Sequence, residues 1–82
     1  MSIMIEVIYH GPCNSEREDH ITMITDECNG RLTHKEEPEN AGVSQSVCLT
    51  YEFADRNSAQ TAVNQLRNLG EHVEGPMDYG DD

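Results

Sequence analysis

His10-Gly11-Pro12-Cys13 sets an imidazole three residues from a thiol, just ahead of a segment with helix-start signals. A thiol at a helix N-terminus has its thiolate favoured by the backbone amides, and a histidine beside it can take the proton. Cys13 is therefore the candidate reactive thiol of this chain, with His10 as its helper. Three acids, Glu16, Glu18 and Asp19, follow within the first helical turn. Like charge opposes a thiolate, so the plainer reading is an ordinary loop cysteine.

The same residue types bear on metal chemistry. His10, Cys13, His20, Cys28, His34, Cys48 and His72 are spread along the chain. No second close pair follows His10-x-x-Cys13 at a zinc-site interval, and no metal or other cofactor is expected. Glu36, Glu37 and Glu39, and again Asp78, Asp81 and Asp82, lack the alternating ligands and central glycine of a calcium loop. Gly11 and Gly70 are isolated and make no phosphate cradle. No catalytic residue is assigned, and the chain reads as non-enzymatic.

The run Ile8-Tyr9-His10-Gly11-Pro12-Cys13 resembles the thiol loop of arsenate-reductase and glutaredoxin-like proteins, which also follows a first strand. That resemblance implies a redox or thiol-transfer role for Cys13. The chain departs from the pattern in lacking C-x-x-C and in having no proline just ahead of the apolar run ending at Phe53.

Sixteen acidic residues face five basic ones, for a formal charge of −11, and Lys35 is the single lysine. Phosphate contacts need clustered Lys and Arg, so direct nucleic-acid binding and adhesion to an anionic membrane are not expected. A basic protein is the partner that this charge suits, in the sharpest version one whose nucleic-acid-binding surface the chain would occupy as an acidic inhibitor or mimic. No apolar run has the length of a membrane span and no secretory signal is visible. Three widely spaced cysteines make a poor disulfide framework, and a cytoplasmic location is expected. Leu, Ile, Val and Phe number only 15 of 82, a content at which disorder competes with folding. Their patterning decides for a fold.

Residues 3–10 alternate Ile3, Ile5, Val7 and Tyr9 with Met4, Glu6, Ile8 and His10, which predicts a central strand. Ser15 with Glu18 reads as a capping box, Ile21, Ile24 and Cys28 as a helical stripe, and Asn29-Gly30 as a stop, giving a helix over 15–28. Residues 31–37 read as a short polar strand with Leu32 and His34 on one side. Pro38-Glu39-Asn40-Ala41-Gly42 follows as a turn-rich connection. Residues 43–53 predict a second strong strand, with Val43, Val47, Leu49, Tyr51 and Phe53 on one face and Ser46, Cys48, Thr50 and Glu52 on the other. Asp55-Arg56-Asn57-Ser58 offers several caps, Asn57 with Gln60 the best of them, for a second helix carrying Ala59, Ala62, Val63, Leu66 and Leu69 and stopped by Gly70. Residues 71–79 read as a weak last strand interrupted by Gly75-Pro76, before a frayed acidic end at residues 80–82.

The order β-α-β-β-α-β fits a single α+β domain, a two-layer ferredoxin-like sandwich with antiparallel sheet order 4-1-3-2 and both helices on one face. The rich first and third strands suit its centre, and the polar second and fourth suit its edges. That leaves the other sheet face, Met4, Glu6, Ile8 and His10 beside Cys48, Thr50 and Glu52, facing solvent, a partner or the segment around Met77 and Tyr79. The functional expectation is a small binding or regulatory module using this face for a basic protein or for a second copy of itself. The alternative class is a thiol enzyme or redox protein built on Cys13.

Overall fold

The computed structural model describes residues 2–37 and 46–78. In them the elements run β1 (Ile3–His10), α1 (Ser15–Glu27), β2 (Arg31–Glu36), β3 (Ser46–Phe53), α2 (Arg56–Asn68) and β4 (His72–Asp78). The strands form one antiparallel sheet in the order β2-β3-β1-β4, so the two apolar strands are central and the two polar ones lie at the edges.

The two-residue period of the central strands divides the sheet into a dry and a wet face. Ile3, Ile5, Val7 and Tyr9 of β1 and Val47, Leu49, Tyr51 and Phe53 of β3 are all buried. They share one core with Ile21, Ile24 and Cys28 of the α1 segment, Ala59, Ala62, Val63 and Leu66 of α2, and Val73 of β4. Both helices therefore cover the same sheet face, and the molecule is 15 Å through its thinnest dimension. Each fully buried aliphatic or aromatic side chain contributes about 1.5–3 kcal/mol, so this one core carries the fold.

The helix ends correct two expectations. Asn14, not Ser15, caps α1, its side chain accepting from the Arg17 N–H at 3.1 Å. Glu18 is thereby free of a capping box and turns toward Tyr9 and Lys35 instead. Asp55, not Asn57, caps α2, accepting from the Ser58 N–H at 2.8 Å, because the helix starts at Arg56. Both C-termini close in the same way. Asn29 (φ 68°) and Gly70 (φ 92°) take the left-handed conformation. The next amides, of Gly30 and Glu71, return to the carbonyls of Thr25 and Leu66. Leu69 is the C-cap of α2 and is 53% exposed, so it leaves the buried stripe in which it was expected.

In β2 a bulge separates Leu32, which sits across from Tyr51, from His34, which sits across from Thr50. The extra residue, Thr33, moves His34 to the opposite face from Leu32, against the simple alternation. Pro76 lies in edge strand β4 after a cis Gly75–Pro76 bond, where the missing N–H costs no central ladder bond. The expected connection at 38–42, Val43 and the first residues of the predicted strand at 43–45, Tyr79 and the acidic end lie outside the described residues.

Candidate functional site

Two places answer to the residues singled out in the sequence: the loop around Cys13 and the sheet face that the helices leave bare. In the loop, Gly11 at φ 107° and Pro12 turn the chain from β1 into the Asn14 cap, and Cys13 is exposed. Its surroundings are anionic. Partial desolvation and then the Glu37 carboxylate push the thiol above its ordinary value of 9.0, with Glu18 adding to the effect and Lys35 opposing it. His10 borders the same hollow as Pro12 and Cys13, but its Nδ1 is turned to Ser46 Oγ at 3.2 Å. Alkylation of Cys13 by iodoacetamide, followed by mass spectrometry against pH, is expected to show a rate midpoint above 9.0, and Glu37→Gln is expected to lower it. A midpoint at or below 7.5 would restore the thiolate reading.

Beside this loop lies a network that sequence reading missed. Tyr9 donates its hydroxyl proton to Glu18 and accepts from the Asn14 N–H at 2.9 Å. Lys35 Nζ lies 2.7 Å from Glu18 and 3.1 Å from Glu37. Arg17 stacks over the Tyr9 ring at 4.8 Å and forks onto Glu71 at 2.8–3.2 Å. The signal that could have found it was the lone lysine amid sixteen acids. These groups satisfy one another and fasten β2, α1 and the start of β4 together. The arrangement is structural.

The bare sheet face presents its side chains in rows across the strands. His10 stands across from Ser46. Glu36, Cys48, Ile8 and His72 form the next row, His34, Thr50, Glu6 and Glu74 the one after, and Arg31, Glu52, Met4 and Met77 the last. All seven residues of the expected face, Met4, Glu6, Ile8, His10, Cys48, Thr50 and Glu52, thus lie together. Four carboxylates, Glu6, Glu36, Glu52 and Glu74, share that surface. Their field is felt at Cys48, whose thiol is pushed up by burial first and then by Glu6, Glu36 and Glu74, with Thr50 opposing.

The chain matches no protein-family model and no curated protein sequence. The inference to function therefore rests on this surface and on its charge.

The basic side chains of the whole chain are accounted for within the fold. Arg17 pairs with Glu71, Arg31 with Glu52, and Lys35 with Glu18 and Glu37. Arg56 reaches the Pro76 carbonyl at 3.5 Å, and Arg67 donates to the Val73 carbonyl at 2.9 Å. On the bare face Glu52 has Arg31 and Ser2, and its carboxyl is held low by the Ser2 hydroxyl first and then by Arg31. Glu74 and Glu36 have neighbouring histidines at 3.2 and 3.7 Å. Glu6, half-buried at the middle of central strand β1, has no hydrogen-bond or ion-pair partner among the described residues. Among those residues, too, no group of three or more His, Cys, Asp or Glu is placed to hold a metal ion, and no helix is long and apolar enough to cross a membrane.

Proposed function

We propose that this chain is a small non-enzymatic binding module of ferredoxin-like topology, working in the cytoplasm, whose bare sheet face receives a basic protein partner. The observation that supports the reading is Glu6, a half-buried carboxylate on the central strand with no hydrogen-bond or ion-pair partner among the described residues, in a fold whose five Lys and Arg side chains are each engaged with other groups. Arg31, paired with Glu52, is the only one of the five on this face. An arginine or lysine supplied by another protein would find Glu6 and, directly across from it, Glu74. Charge-assisted hydrogen bonds to partly desolvated carboxylates are the strong kind, and complementary charge also speeds the encounter. Self-association through the same face is disfavoured, because it would set four carboxylates against four more on chains of charge −11.

The test is an amide-resolved NMR titration of the chain with hexa-arginine at low and high salt. Shifts are expected on β1, β3 and β4 at low salt and should fade at high salt. Glu6→Gln should weaken the interaction by about tenfold, the equivalent of one charge-assisted contact. Shifts confined to the exposed acids of α1, Glu16, Asp19, Asp26 and Glu27, would sink the assignment to the sheet.

A further inference from the structure

We infer that the occupant of this face is an amphipathic helix of the partner, presenting a basic residue between two apolar ones at positions i, i+4 and i+8; this rests on the reading of the sheet face as the binding surface. Along β1 the bare face runs Met4, Glu6, Ile8, with Cys48 directly beside Ile8 and Glu74 directly beside Glu6. The order is apolar, acidic, apolar. Alternate residues of a strand stand about 6.7 Å apart, so Met4 and Ile8 are separated by about 13 Å. Residues four apart on a helix are spaced about 6 Å along its axis, and eight apart about 12 Å. A helix lying along β1 therefore meets the three side chains in step, its cation on Glu6 and Glu74 and its apolar residues on Met4 and on Ile8 with Cys48.

The backbone decides between a helix and an extended peptide. β1 is a central strand, flanked by β3 along its whole length and by β4 on its other side with one irregularity between Met4 and Glu6, so it offers no free edge to a further strand. An extended peptide on the face would leave its own backbone groups without protein partners, whereas a helix satisfies them internally. The shape agrees. The helices cover one face of a molecule 15 Å thick, and a helix on the other face completes a three-layer arrangement. A second copy of this chain fits less well, since it brings negative charge to negative charge.

The test uses the full chain and two synthetic peptides of identical composition. In one, Leu, Arg and Leu stand at i, i+4 and i+8 of a helix-forming sequence; in the other the same residues are shuffled so that no stripe forms. The ordered peptide is expected to bind about tenfold tighter, to gain helical circular dichroism on binding, and to shift β1 and β3 amides. Ile8→Thr should remove most of that tenfold preference while leaving the salt-dependent part of the affinity. Glu6→Gln should lower the affinity of both peptides. Circular dichroism of each variant checks that it is folded. Equal affinity for the two peptides, or binding without gain of helix, would overturn the helix while leaving a cation-binding face in place. No binding of either at low salt would remove the sheet-face reading itself. A dimer seen by sedimentation that the peptide displaces would make the occupant a second copy and overturn the proposal.

Discussion

Replacing Gly30 by alanine is expected to destabilise the domain by about 1–3 kcal/mol, the usual cost of forcing a methyl group into a packed core. Gly30 is buried just after α1, and a Cβ there would stand 2.5 Å from Cζ and 3.0 Å from Cδ2 of Phe53, and closer still to Cε2. The Phe53 ring is itself 1% exposed, so it cannot swing into solvent to make room. Gly30 is not among the glycines with positive φ, so alanine carries no backbone strain here and would otherwise stabilise by restricting the unfolded chain. The whole loss is thus a packing term, and in a domain of this size each kcal/mol moves the melting temperature by roughly 4–8 °C. Phe53→Leu removes the ring and has its own cavity cost. In that background Gly30→Ala should be nearly neutral or favourable. A double-mutant cycle by urea denaturation checks this, and equal costs of Gly30→Ala in both backgrounds would defeat the steric account.

That residue also shows where sequence reading stops. Asn29-Gly30 was legible as a helix stop, because stops are written in local residue types. The reason for a glycine at the second position was not legible, since it lies 23 residues away in the ring of Phe53. The same division runs through the chain. The apolar alternation of Ile3, Ile5, Val7 and Tyr9 and of Val47, Leu49, Tyr51 and Phe53 predicted the central strands, and the polar edges predicted the order. Caps were misplaced by one or two residues because Asn14 and Ser15, or Asp55 and Asn57, are equally good caps until packing fixes where the helix begins. The Thr33 bulge left no local mark. Of the candidate site, the alternation predicted that Met4, Glu6 and Ile8 share a face. It could not show that Arg17, Arg31 and Lys35 are spent in ion pairs, which depends on elements brought together from across the chain. Glu6 becomes conspicuous only when those pairs are known.

Alkali is expected to unfold this domain, the loss of stability beginning near pH 9 and steepening above pH 10. Tyr51 is fully buried, with its hydroxyl 2.8 Å from Thr22 Oγ1. Burial raises it above its ordinary value of 10.0, with Glu18 adding and the Thr22 bond opposing. Tyr9 is raised by burial first and then by its bond to Glu18. Lys35 is raised from 10.5 by its bonds to Glu18 and Glu37. All three groups hold their protons more tightly folded than unfolded. Their stabilisation is therefore complete below about pH 10 and is lost as pH rises from the unfolded values through the folded ones. For each buried tyrosine the loss runs at up to about 1.4 kcal/mol per unit of pH between its two values. Ionisation also deepens a net charge that is already −11. The cysteines act in the same direction, since Cys28 and Cys48 are raised from 9.0 by burial. On the acid side the sign reverses. Glu37, held low by Lys35, and Glu52, held low by Ser2 and Arg31, lose their contributions as pH falls below 4.5. Urea midpoints at pH 8, 10 and 11 should fall steadily. Tyr51→Phe should be less stable than the parent at pH 8 by about 1 kcal/mol, the worth of the Thr22 bond, yet lose less between pH 8 and pH 11. A flat parental profile, or equal losses in parent and variant, would show that Tyr51 ionises in the folded state without cost.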